Sequence, residues 1–257
     1  MILTRLTRAI REQNWFAVGL EFIIVVAGVA VGFQLTQRYD QAQVAGREAG
    51  YLQGIATDYT IYQNISICRM DVETEIMRGL THLLDALDGR ELTEREHERA
   101  LFAITMSQVS QPGLLLEGNT SALVAGDLVG IISDDQLRGL ILAAQSISTS
   151  TVTSMEQVHD FLLEMPRIDR FTTRALNEEN GFFVASDFDL DAMRAEPDIR
   201  NTLIDLHNLH RSAQANDERQ KQAIDNVLRR LAEMGVREAP VEEPTCWGGP
   251  LPTAGED

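Results

Sequence analysis

Apolar residues follow two different patterns along the chain. From Trp15 to Leu35 they are continuous apart from Glu21 and Gln34 near the ends. Beyond that stretch they recur at helical spacing. Tyr51, Ile55, Tyr62, Ile65, Val72, Ile76, Leu80, Leu83 and Leu87 follow steps of three, four or seven. This predicts one helix running to about residue 88, where Asp88-Gly89 stops it. Thr93 with Glu96 forms a capping box that opens a second helix, to about Ser107, and Gln111-Pro112-Gly113 breaks the chain after it. A short helix from Ser121 to Ala125 ends at Gly126.

Ser133 with Gln136 reads as another capping box, opening a long helix through Leu137, Ile141, Ile147, Val152 and Leu162 that meets Pro166. Asn177 to Asp191 reads as a loop, with a turn at Asn180-Gly181 and with Asp189 capping the turn that follows. A last helix is expected near Pro197, a first-turn position, and ends at Gly235. Phe182-Phe183-Val184 is the single short strand candidate. The expected fold class is therefore all-α: an N-terminal single transmembrane helix, then an exported bundle of three to four long helices with a short insert. The boundaries are a cytoplasmic N-terminus at 1–14, a transmembrane helix at 15–35 and an extracytoplasmic helical domain at 36–235. An extended or disordered acidic tail follows at 236–257, with four of the seven prolines.

About 20 apolar residues at 1.5 Å each cover the roughly 30 Å hydrocarbon core, so residues 15–35 are long enough to contact a lipid bilayer across its full depth. Arg5, Arg8 and Arg11 precede the span against Glu12, whereas Arg38 and Arg47 behind it are offset by Asp40 and Glu48. The positive-inside bias puts the N-terminus in the cytoplasm and the remainder outside it, in the periplasm if the membrane is a bacterial inner membrane. Gly28-Val29-Ala30 also resembles a signal-peptidase site. Glu21 within the apolar run, and its continuation through Val31, Gly32 and Phe33, favour an uncleaved anchor.

Hydrophobic residues at 44% and charged residues at 24% make a globular composition. A net charge of -17 argues against a nucleic-acid partner, since nothing concentrates cations for a phosphate backbone. The exported part is repelled by anionic headgroups and held off them except at its tether.

Two stretches resemble an uncharacterised bacterial membrane-anchored family, domain of unknown function 6090. One is Glu21-Phe22-Ile23-Ile24-Val25-Val26-Ala27-Gly28 with Gln34. The other is Ala122-Leu123-Val124-Ala125-Gly126-Asp127-Leu128 followed by Ile131, Ser133 and Leu137-Arg138. The chain departs from the family just past the span, with Arg38-Tyr39-Asp40 in place of a tryptophan. The resemblance implies a single-pass membrane protein with a helical exported domain and no assigned activity.

Few residues carry a specific chemistry. His207 and His210 share a helix face but lack a nominated third ligand, so boundary positions are the expectation and no metal is assigned. Asp187, Asp189 and Asp191 suggest a calcium loop, but Ala192 occupies the position that needs glycine and Asp198 the one that needs glutamate. Gly-x-Ser-x-Gly, Walker and dinucleotide patterns are missing, so no catalytic residue and no cofactor is assigned, and an enzyme is not the leading reading. Cys68 and Cys246 either form a disulfide that ties the tail to the helices in an oxidising compartment, or stay a small buried residue and a free thiol. Gly46, Gly50 and Gly54 recur every four residues just outside the span, which favours close helix packing over a loosened linker. Glu21, Gly28 and Gly32 lie within an arc of roughly 40° on the span, a stripe suited to helix association.

The leading expectation is a non-enzymatic partner-binding or scaffolding protein that associates with itself or with a membrane partner protein. The alternative is a ligand-sensing bundle acting through a separate signalling subunit. A membrane-tethered enzyme ranks third.

Overall fold

The computed structural model describes residues 15–109, 112–176 and 183–236. It is mostly helical, as the sequence pattern predicts. The chain divides into two units, Met1–Gly50 and Tyr51–Asp257. Helix α1, Trp15–Leu87, belongs to both.

In the first unit, α1 is long and apolar enough to cross a membrane. Its large side chains from Leu20 to Leu35 are exposed on every side of the helix, with Phe22 at 68%, Val29 at 69% and Phe33 at 66%. A water-facing helix would restrict apolar residues to one stripe; an all-round apolar surface is what lipid solvates. Thr36 turns its hydroxyl inward and donates to the Gly32 carbonyl at 3.0 Å, as hydroxyls in apolar helices do.

In the second unit, α1 continues past α2 (Glu94–Met106), α3 (Asn119–Ala125), α4 (Asp135–Glu164), α5 (Leu190–Ala195) and α6 (Ile199–Glu233). Two apolar clusters hold these elements. Leu52, Ile55 and Tyr59 of α1 pack with Leu123, Leu137 and Ile141, and with Ile224, Val227 and Leu231 at the end of α6. Val72, Ile76, Leu80 and Leu83 pack with Ile104, Leu162 and Met193, and with Leu203 and Leu206 near the start of α6. The early part of α1 thus meets the late part of α6 and the reverse, so the two helices run antiparallel.

Local chemistry explains most of the boundaries. Thr93 accepts from the Glu96 backbone N–H while its own N–H donates to Glu96 Oε2 at 2.8 Å, the predicted capping box. The second box is not formed as expected. Asp134, not Ser133, caps α4, accepting from the Leu137 N–H at 2.6 Å. A carboxylate complements the positive helix end better than a hydroxyl, and Arg230 from the end of α6 also binds Asp134 Oδ2 at 2.5 Å. Pro166 follows the end of α4, since it has no N–H to continue the ladder. Asp189 caps α5 through the Ala192 N–H. Pro197 precedes the cap Asp198 instead of entering the first turn, because the turn closing α5 at Glu196 occupies that stretch.

The largest departure is a two-stranded antiparallel sheet, whose second strand lies within the stretch 177–191 read as a loop and includes Phe183 and Val184 of the strand candidate. Strand β1 (Thr172–Leu176) pairs with β2 (Phe183–Phe188), with Leu176 opposite Phe183, Thr172 opposite Phe188 and a register shift between Thr173 and Arg174. The segments are short, and β1 is mostly exposed, so neither shows a hydrophobic alternation a reader could use. The hairpin is anchored by tertiary contact instead: Phe188 stacks on His97 of α2 at 4.6 Å. The expected Asn180-Gly181 turn lies outside the described residues, as do residues 1–14, expected in the cytoplasm, and most of the acidic tail.

Candidate functional site

Between the two apolar clusters lies a buried polar layer that the hydrophobic pattern does not announce. On α1 one line of buried positions, Leu52, Ile55, Tyr59, Ser66, Arg69, Glu73, Ile76, Leu80 and Leu83, steps by three, four or seven. On α6 ten of the twelve buried residues, Ile199, Leu203, Leu206, His210, Ala213, Asp217, Gln220, Ile224, Val227 and Leu231, alternate steps of four and three, with Thr202 and Leu228 beside them. Both are heptad seams, and in each the middle turns carry polar residues where apolar ones belong.

These residues meet across the seam. Arg69 Nε donates to Asp217 Oδ1 at 3.1 Å and Oδ2 at 3.2 Å, and its Nη1 donates to the Pro112 carbonyl at 2.6 Å. His210 Nδ1 lies 2.5 Å from Glu73 Oε2, and His210 Nε2 lies 2.9 Å from the Ser107 carbonyl at the end of α2. A carbonyl only accepts, so Nε2 carries a hydrogen. One further proton is then shared between Nδ1 and the Glu73 carboxylate, as either an imidazolium–carboxylate or an imidazole–acid pair. Gln220 donates to the Leu114 carbonyl at 2.5 Å. Ser148 of α4 donates to that same carbonyl and accepts from the Leu116 N–H, both at 2.9 Å, which pins the irregular segment before α3.

Burial pushes the Asp217 carboxyl up from its usual range. The charge of Arg69 and its hydrogen bond pull it back, and Glu73 adds to the rise. Among the described residues, Arg69 Nη2, Ser107 Oγ and Gln220 Oε1 are buried without a hydrogen-bond partner. A layer of this kind sets register. Sliding α6 by one heptad would set Arg69 against Ile224 or His210 and leave a buried charge unpaired, which costs several kcal/mol. Gln63 to Asp225 at 2.6 Å and Gln214 to Thr74 at 2.7 Å repeat the same antiparallel register on either side.

The structure separates most of the residues singled out by sequence. His210 is buried in the polar layer, whereas His207 is half-buried, its imidazole pushed down first by burial and then by Arg211 and His210. No group of three metal-ligating side chains converges among the described residues. Asp187 faces His97 at 3.3 Å, Asp189 caps α5 and Asp191 pairs with Arg194. At Gly54 an added Cβ would lie 2.6 Å from the Asn119 side chain, whereas at Gly46, Gly50, Gly28 and Gly32 nothing among the described residues beyond the helix's own neighbouring backbone lies within 4 Å. Cys68 is buried on α1; Cys246 lies outside the described residues.

An open groove of about 560 Å³ is lined by Pro112, Gly113, Val152, Met155, Glu156, His159 and Asp160. It touches the polar layer through Pro112, whose carbonyl accepts from Arg69. Apolar periodicity alone does not reveal the layer. The signal was present as Arg69, Glu73, His210 and Asp217 standing on the seam positions themselves. Comparison with family models, with curated proteins and with solved structures finds no match.

Proposed function

We propose that the chain is a single-pass bacterial inner-membrane protein, N-terminus cytoplasmic, whose periplasmic bundle of three to four long helices is a non-enzymatic partner-binding or scaffolding domain. The observation that carries this reading is the all-round exposure of the apolar side chains from Leu20 to Leu35, on the helix that, among the described residues, is both long and apolar enough to span a bilayer. The polar layer supports the scaffolding part. Its charged groups engage facing helices, a use suited to holding helices in fixed register. On this reading the chain falls with the membrane-anchored family, domain of unknown function 6090, that its anchor and its 122–138 stretch resemble.

Association within the membrane is assigned to the stripe of Glu21, Gly28 and Gly32. Small residues four apart let helix backbones approach, and an acid at the edge of the span gains from a polar partner. Replacing Gly28 and Gly32 with isoleucine should abolish association in a bacterial two-hybrid assay of the isolated segment and of the full chain. Unchanged signals in both formats would leave residues 15–35 a plain anchor.

The groove beside Pro112 favours a second reading, a ligand-sensing bundle acting through a separate signalling subunit. Its walls combine apolar Val152 and Met155 with Glu156, Asp160 and His159, a lining suited to a small cationic or amphipathic molecule. A ligand screen by thermal shift discriminates: stabilisation lost in Glu156→Gln/Asp160→Asn would favour sensing over scaffolding.

A further inference from the structure

The face of α1 centred on Ile61 changes cover along its length. Gly54, Asp58, Ile61, Ile65, Cys68, Val72 and Gly79 fall within about 80° of arc at 100° per residue. At one end the Gly118–Asn119 turn closes over this face: Asp58 Oδ2 accepts from the Asn119 N–H at 2.7 Å, and Asn119 sits against Gly54. At the other end α2 closes over it. Ala103 and the Arg99 carbonyl sit against Gly79, and Arg99 pairs with Glu75 at 3.1 Å. Between these covers Ile61 is 44% exposed and Ile65 is 38% exposed. Cys68, on the same face, is only 8% exposed yet belongs to neither apolar cluster, and it is not a free thiol.

We propose that the C-terminal tail seats on this gap, with Trp247 on Ile61 and Ile65 and a disulfide between Cys246 and Cys68. The chain has two cysteines, so Cys246 is the one partner Cys68 can find within it. The reach suffices. Val236 packs against the cluster that holds Ile55. From there the ten residues to Cys246 span up to about 33 Å, while the thirteen from Ile55 to Cys68 along the helix cover about 20 Å. The tail's chemistry also suits the seat. Trp247 brings a large apolar face, and Pro244, Pro250 and Pro252 favour an extended backbone that gives up little entropy on lying along a helix. Forming the bond removes two electrons and two protons from the two thiols. Exchange with a protein disulfide oxidant of the exported compartment takes them up, reducing that disulfide to a dithiol.

The test uses the full chain in detergent with Trp15→Phe, which leaves Trp247 the sole tryptophan. Non-reducing peptide mapping should join the peptides of Cys68 and Cys246. Trp247 should show blue-shifted emission and weak acrylamide quenching. Ile61→Asp/Ile65→Asp, at exposed positions, should red-shift the emission and raise quenching severalfold with the helical circular dichroism unchanged. Trp247→Ala should raise deuterium uptake over residues 57–68. A solvent-exposed Trp247 in the oxidised chain, emission indifferent to the double substitution, or a disulfide joining two chains would overturn the proposal. Export is read separately by reporter fusion, so a missing disulfide in a chain shown to be exported overturns this inference alone.

Discussion

Arg69→Met isolates the energetics of the polar layer. The substitution keeps most of the side-chain volume but removes the charge facing Asp217 and the donor to the Pro112 carbonyl. At the 3.1 Å separation of the pair, an effective dielectric constant near 20 gives a Coulomb term of about 5 kcal/mol. Much of that offsets the desolvation of two ions. Removing one partner forfeits the offset and leaves the other charge buried, so the expected loss at pH 7 is about 3–5 kcal/mol. The pH dependence carries a sign. Asp217 is already raised by burial, and Arg69 is the group that pulls it down. In the variant its folded value therefore rises further above the unfolded one. The native state then holds a proton that the unfolded state releases, and this contribution is fully present below the unfolded value, near pH 4, and lost as pH rises through the folded value. The defect should be small at pH 4 and large at pH 7. Urea denaturation of the full chain in detergent, followed by circular dichroism, measures both. Arg69→Met/Asp217→Leu should recover most of the loss, since apolar replacement of a whole buried pair is often neutral. A loss below about 1 kcal/mol at pH 7, or an equal loss at both pH values, would refute the argument.

Gly79→Ala should destabilise the chain by about 1–3 kcal/mol in the same assay, although alanine is the better helix former, because its Cβ would lie 2.2 Å from the Arg99 carbonyl. A gain in stability would mean that α2 does not cross α1 at that glycine. Thr93→Ala should cost about 1 kcal/mol through loss of the α2 cap. Its partner Glu96 is held down at about 2 by the Thr93 backbone N–H first and Arg90 next. That depressed value contributes stability present above the unfolded glutamate range and lost as pH falls toward 2, so Glu96→Gln should flatten the acid limb of the stability profile.

How far the sequence revealed the architecture depended on whether local chemistry or tertiary contact set each element. The Thr93–Glu96 box, the stop at Asp88-Gly89, the break at Pro166 and the cap at Asp189 are all local, and all were legible. Ser133 and Asp134 are adjacent candidates for one cap. Asp134 gains further support from Arg230, ninety-six residues away, which no local pattern reveals. Of the β1–β2 hairpin only Phe183 and Val184 stand out in the sequence, for a similar reason, its strands being too short to show alternation and held by His97 on α2. Among the glycines, periodicity drew attention to Gly46, Gly50 and Gly54, while the closest helix contact falls at the isolated Gly79. His210 was weighed as half of a metal pair with His207. The heptad shows that only His210 is on the seam, and its ligand is a glutamate proton partner and a carbonyl.

The central claim is that residues 15–35 anchor an exported helical domain with the N-terminus inside. Fusing alkaline phosphatase, and separately a fluorescent protein that matures only in the cytoplasm, after Asp257 tests it most directly. Membrane-bound fusions should show phosphatase activity and no fluorescence. Fluorescence without phosphatase activity would contradict it.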